Sequence, residues 1–237
     1  MRTLVIIPAY NEAASLPAVL ARLRASRPDD DVVVVDDGST DATAAVAREQ
    51  GVVVLSLPFN LGIGGALRTG FRYAVLHGYD RAAQLDADGQ HEPEALDVLF
   101  AGLDQGADLV IGSRFIDEGG YEVGGTRKRA MRMLQGLIRL LTRRRFTDTS
   151  SGFRAFSRPM LGHFATTYPS EYMESVEALL NAVYGGYRVV EVSVPMHQRT
   201  GGQASQQHLK LAYHYLRLVV TLLTHAGRRP PVDGAVA

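Results

Sequence analysis

The sequence has no cysteine, no excess of either charge and no long uncharged apolar run, and each absence removes a class of protein. Without cysteine there are neither disulfides nor thiolate metal sites, which fits a reducing compartment. The 25 Lys and Arg against 25 Asp and Glu leave no global basic excess to point to nucleic acid, so partners must be read from local patches. No apolar run approaches the roughly 18 uncharged residues of a spanning helix. The opening Met1-Arg2-Thr3-Leu4-Val5-Ile6-Ile7-Pro8 is too short an apolar stretch for a signal peptide and reads as a first strand, so a cytoplasmic placement is expected. The 7 histidines show no zinc-site spacing, and no internal repeat is present.

What remains is 237 residues, 46% of them apolar, enough for one large α/β core. Continuous apolar runs at 4–7, 32–35, 52–57, 82–85 and 109–111 have the length of strands buried on both faces, and the helix-like segments between them imply a parallel sheet. Asp41 suits the cap of a helix over 42–50 with Gly51 as its stop, and Pro93 suits the first turn of a helix running toward Gly102. Beyond Gly112 a Gly-rich loop leads into a basic helical stretch over 126–145. Residues 187–194 alternate as a half-exposed strand, 209–223 form an amphipathic helix, and 227–237 read as a disordered tail.

Ligands of open α/β sheets bind beyond the carboxyl ends of the strands. There the sequence places Pro8, Tyr10, Asn11 and Glu12 after the first strand, Asp36 and Asp37 after the second, Asp86 and Asp88 after the fourth, and Ser113 and Arg114 after the fifth. Carboxylates gathered at one edge repel unless a cation joins them. Asp86 and Asp88, either side of one small residue, form a natural clamp for a hard cation.

Four strings carry a resemblance: Val5-Ile6-Ile7-Pro8-Ala9-Tyr10-Asn11-Glu12, Val34-Val35-Asp36-Asp37-Gly38-Ser39-Thr40-Asp41, Asn60-Leu61-Gly62 through Gly70, and Leu85-Asp86-Ala87-Asp88-Gly89-Gln90. Together they resemble glycosyltransferase family 2. Ser151-Gly152-Phe153-Arg154-Ala155-Phe156, preceded by Asp148, is similar to the branch of dolichyl- and polyprenyl-phosphate sugar synthases. The resemblance runs in order over about 3–205. It implies the GT-A nucleotide-diphospho-sugar transferase fold, an α/β/α sandwich with a mainly parallel central sheet. It also implies a nucleotide-sugar donor and inversion at the anomeric carbon. Residues 1–226 are expected to form a single catalytic domain, with 1–112 as the nucleotide-sugar-binding half and 113–226 as the acceptor-side half.

By position, the resemblance implies that Pro8, Tyr10, Glu12 and Asp36 or Asp37 hold the base and ribose. It places Asp86 near the ribose and metal, and gives Mg²⁺ or Mn²⁺ the ligands Asp86, Asp88 and Gln90. A departing nucleoside diphosphate accumulates negative charge that such a cation neutralises. Arg68 is a candidate donor-base contact or a plain surface residue. Arg114 and Arg199 are candidates for the diphosphate or an anionic acceptor, because Arg forks match phosphate oxygens. Glu174, at an expected helix start, stands where relatives often place an acidic acceptor-site residue, a base for a hydroxyl acceptor.

Other features have competing readings. The run 62–67 superficially matches a dinucleotide fingerprint, but it opens the third crossover and ends on Leu67. His91 reads as a loop residue, since oxygen ligands suit Mg²⁺ and Mn²⁺ better. Gly201-Gly202 beside Arg199 fits a lid or an ordinary turn. Arg127, Lys128, Arg129, Arg132, Arg139, Arg143, Arg144 and Arg145 accompany a stripe of Met131, Leu134, Leu137, Ile138 and Leu141. That helix either meets an anionic membrane from the cytoplasmic side or packs its stripe into the core.

The first functional expectation is therefore an inverting, metal-dependent glycosyltransferase using a UDP- or GDP-linked sugar and a polyprenyl phosphate acceptor. The second is a transferase acting on a hydroxyl of a small molecule, natural product or glycan. A non-catalytic nucleotide-sugar-binding module is disfavoured by the intact Asp86-Ala87-Asp88. A sugar-1-phosphate nucleotidyltransferase is disfavoured by Tyr10-Asn11-Glu12, which stands where that class has a Gly-rich, Arg-containing signature. No nucleic-acid partner is expected, and a homodimer is compatible with the sequence.

Overall fold

A computed structural model describes residues 1–116, 125–169 and 174–195, with side chains from 131 onward in the middle segment. The chain alternates β1 (Thr3–Ala9), α1 (Leu16–Ser26), β2 (Asp31–Asp36), α2 (Thr43–Glu49), β3 (Val53–Ser56), α3 (Ile63–Leu76) and β4 (Arg81–Gln84). A 3₁₀ turn at Pro93–Ala95 leads into α4 (Leu96–Asp104), followed by β5 (Leu109–Ser113) and α5 (Gly125–Thr142). Then come β6 (Arg154–Ser157), α6 (Arg158–Thr167), α7 (Glu174–Tyr184) and β7 (Val189–Ser193).

These strands form one seven-stranded sheet in the order β3-β2-β1-β4-β6-β5-β7. Only β6 runs antiparallel, to β4 on one side and β5 on the other. The sheet is covered on both faces, which explains the unbroken apolar runs. Leu4 and Ile6 enter one core with Phe71, Phe156 and Phe164, while Val5, Ile7 and Ala9 enter the other with Leu16, Leu20 and Phe100. The α/β sandwich with a mainly parallel sheet is thus as expected. The strand order reverses between β1 and β4, and it is beyond the carboxyl ends of the strands at such a position that open sheets bind ligands.

Asp41 accepts the Thr43 N–H at 2.9 Å, so it serves the start of α2 as expected. In α5, Leu134 and Ile138 are buried and Leu137 and Leu141 pack on the same core, so the stripe faces inward. The outer face carries Met133 and Leu140, 70% and 77% exposed, among exposed Arg132, Arg139 and Arg143. Among the described residues no helix is long and apolar enough to cross a membrane. Arg199, Gly201-Gly202, the stretch 209–223 and the tail lie outside the described residues.

Candidate active site

The loops after β1 and β2 are fastened to each other. Asn11 takes a positive φ of 56°, which Asn tolerates, and its N–H donates to Ser39 Oγ at 3.0 Å. Its Oδ1 accepts from Thr40 N at 2.9 Å, while Glu12 N donates to Thr43 Oγ1 at 2.9 Å. Glu12's carboxylate accepts from Ser15 Oγ at 2.5 Å, at the entry to α1. Pro8 is half-buried and Tyr10, just after β1, is 46% exposed.

Asp36 and Asp37 are both buried, but their environments differ. Asp36 Oδ1 accepts from Ser39 N at 3.1 Å, closing its own turn. Asp37 Oδ1 accepts from Leu61 N at 2.7 Å and so holds the loop after β3. Burial pushes the Asp37 carboxyl up, the backbone donors of Leu61 and Gly62 pull it back, and the Asp36 charge adds to the rise. Gly38, at φ 70°, is packed so tightly that a Cβ would lie 2.6 Å from the Phe59 carbonyl carbon. Asp37 is therefore a loop anchor first, a role the sequence reading did not give it.

Asp86 follows β4 and is held from three sides. Gln84 Nε2 donates to its Oδ1 at 3.1 Å, and its own N–H donates to His91 Nδ1 at 3.2 Å. The third side is Gly152, where a Cβ would come within 3.0 Å of Asp86 Oδ2 and 2.8 Å of Gln84 Nε2. His91 is buried and stacked on Phe153, with ring centroids 4.8 Å apart, so it is an internal support and not a simple loop residue. Its accepting Nδ1 assigns the proton to Nε2, 3.6 Å from Asp86 Oδ2. Asp88 Oδ1 accepts from Gln90 N at 3.1 Å, and both side chains remain partly exposed. Among the described residues no three His, Asp or Glu side chains form a metal cage. The donor set still fits Mg²⁺ or Mn²⁺, because such ions are held by one or two carboxylates completed by substrate phosphates and water.

In the second half of the chain, Arg154 is fully buried in β6. Its Nε donates to the Ser151 carbonyl at 2.8 Å and Nη2 to that of Thr149 at 3.5 Å, while Nη1 has no partner among the described residues. Glu174 opens α7, the expected position. Burial pushes its carboxyl up, Ser175 and the Arg154 charge pull it down, and Asp86 raises it again. Asp86, Arg154 and Glu174 thus share one electrostatic neighbourhood under the Ser151-Gly152 loop. Arg114 is not simply open to an anion: Nε and Nη2 grip fully buried Asp148 at 2.6 and 2.9 Å. Arg68, partly buried in α3, makes no hydrogen bond or ion pair among the described residues.

Since Gly152 lies directly against the Asp86 carboxylate, Gly152→Ala is expected to lower sugar-transfer turnover by about 10²-fold through displacement of the clamp. The thermal midpoint should change little. Steady-state kinetics with a melting curve checks this, and wild-type turnover would show that the loop yields to the methyl group.

The glycosyl transferase family 2 profile matches residues 4–164, from β1 through the clamp and into α6. The undecaprenyl-phosphate mannosyltransferase of Micrococcus luteus is 37% identical over 86% of this chain and 87% of its own length. The polyprenol monophosphomannose synthase of Mycolicibacterium smegmatis is 33% identical over 85% and 79%. Among solved structures, glucosyl-3-phosphoglycerate synthase from Mycobacterium tuberculosis, in complex with Mn²⁺, UDP and phosphoglyceric acid, superposes with a TM-score of 0.74. At 21% identity over 99% of this chain and 81% of that one, it establishes a shared GT-A fold. The profile match over residues 4–164, and relatives matched along most of their length, place this glycosyltransferase in glycosyl transferase family 2.

Proposed function

We propose that the chain moves a sugar, with inversion, from a UDP- or GDP-linked donor onto the phosphate of a polyprenyl phosphate at the cytoplasmic membrane face. The observation that carries this reading is the Asp86-Ala87-Asp88 pair at the carboxyl end of β4, with Asp86 held by Gln84 and against Gly152. The relatives named for undecaprenyl and polyprenol phosphate chemistry support the acceptor class.

On this reading Pro8, Tyr10, Glu12, Asp36 and Asp37 line the nucleoside subsite, with Arg68 and Arg199 toward the donor. Asp86, Asp88 and Gln90 would hold Mg²⁺ or Mn²⁺, which supplies charge neutralisation to the departing diphosphate. The protein's own part is orientation. The fastened loops fix the nucleotide, so the acceptor oxygen meets the anomeric carbon opposite the leaving group. A phosphate monoester, with a second pKa near 6, is largely dianionic at neutral pH and needs no base. A hydroxyl acceptor must lose a proton as the C–O bond forms. The raised carboxyl of Glu174 suits that task and supports the second reading, transfer to a hydroxyl.

Glu174→Gln separates the two. With undecaprenyl phosphate as acceptor the variant should retain near wild-type transfer and donor affinity. If a hydroxyl acceptor is the true one, transfer should fall roughly 10²- to 10⁴-fold with donor affinity unchanged. Wild-type enzyme that transfers to hydroxyl acceptors and leaves undecaprenyl phosphate untouched would overturn the lipid-phosphate reading.

The outer face of α5 supports a peripheral membrane contact within 126–145. Exposed Met133 and Leu140 lie seven residues apart on one face, flanked by exposed Arg132, Arg139, Arg143 and Arg144. Apolar side chains between cations suit the boundary of an anionic bilayer. Binding to phosphatidylglycerol vesicles should weaken as salt shortens the screening length below about 8 Å. It should also weaken in Leu140→Asp, and equal sedimentation of both proteins with vesicles would remove α5 from the contact.

A further inference from the structure

The fork of Arg114 is held by a carboxylate that is itself positioned by a second one. Asp148, with no exposed side-chain surface, receives Arg114 Nε at 2.6 Å and Nη2 at 2.9 Å, together with Ser150 Oγ at 3.2 Å and Ser150 N at 3.3 Å. Behind it, Glu191 of β7 takes the Asp148 N–H on Oε1 at 2.8 Å and the Thr147 N–H on Oε2 at 2.7 Å. Thr147 Oγ1 lies 3.2 Å from Glu191 Oε2 and 2.6 Å from Ser113 Oγ, the residue before Arg114. Two carboxylates have thus been drawn together in a mostly buried space beside one guanidinium. That arrangement is costly unless each oxygen is satisfied by donors, and here the donors come from Arg114, just after β5, and from the loop before β6.

We propose that the Glu191–Asp148 pair is a positioning device for Arg114, setting the guanidinium just beyond the carboxyl end of β5. This rests on the reading of Arg114 as the cation that meets a phosphate in the transfer step. A carboxylate at 191 can accept from two backbone N–H groups at once. A carboxamide offers one acceptor and turns an N–H toward a donor, so the 147–148 backbone shifts and carries Asp148 with it. The fork geometry of Arg114 then changes while the guanidinium remains charged. Glu191 needs no contact with substrate to act in this way.

The test uses the full-length protein with undecaprenyl phosphate and, as donors, UDP-glucose and GDP-mannose. Turnover is measured for wild type, Glu191→Gln, Arg114→Ala and the double variant, with folding followed by circular dichroism and thermal midpoint. Glu191→Gln should lower kcat by about tenfold or more with the donor KM little changed, because orientation and not donor binding is lost. The double variant should be no slower than Arg114→Ala alone, because Glu191 acts through Arg114. A folded Glu191→Gln protein with wild-type kcat, or losses that multiply in the double variant, overturns the proposal while leaving the role of Arg114 standing. Full turnover in Arg114→Ala overturns both the proposal and that role. Should Glu191→Gln fail to fold, Asp148→Asn takes its place in the same cycle, and the same non-additivity with Arg114→Ala decides.

Discussion

Like-charge crowding at one end of the sheet is the constraint on which the rest of the structure depends. Asp36 at the end of β2, Asp37 just after it, and Asp86 and Asp88 after β4 all stand at the carboxyl ends of parallel strands. Each is held by a specific donor: Ser39 N for Asp36, Leu61 N for Asp37, Gln84 Nε2 for Asp86 and Gln90 N for Asp88. These bonds fix where negative charge stands before any ligand arrives. On the proposed reading, a divalent cation bound to a diphosphate would enter an arrangement that does not need to reorganise, which is the condition under which electrostatic stabilisation is most effective.

The fold meets that constraint by inserting one antiparallel strand. Between β4 and β5, β6 follows a loop that sets Gly152 against Asp86, and it buries the Arg154 guanidinium against the carbonyls of that same loop. A buried charge must be balanced nearby. Glu174 lies within electrostatic reach of both Arg154 and Asp86, and this links the loop after β4 to the start of α7. The loop that precedes β6 also carries Asp148, so a single connection supports both Asp86 and Arg114.

Much of this was legible in the sequence because it is local. Strands buried on both faces appear as unbroken apolar runs, and the clamp is two carboxylates separated by one alanine. The inward stripe of α5 is visible as helical spacing, although spacing could not tell core packing from membrane contact. What escaped is long-range or runs against residue preference. Asp37 meets Leu61 across 24 positions, and Arg114 meets Asp148 across 34, with no periodicity to announce either pairing. Four-residue β6 begins with an arginine, a residue usually found exposed, so nothing in its composition marks a central strand. His91 looked like a loop residue because its burial depends on an Asp86 N–H and on Phe153, which a one-dimensional pattern does not show.

The central claim is that Asp86 and Asp88 form half of a cation site that the donor diphosphate completes. Electron paramagnetic resonance of Mn²⁺ titrated into the protein, with and without UDP or GDP, tests it most directly. The account predicts that free-ion signal is lost with about one site per chain when the nucleotide is present, only weakly without it, and that Asp88→Ala abolishes the loss while remaining folded. Tight Mn²⁺ binding that ignores the nucleotide, or binding unchanged in Asp88→Ala, would contradict it.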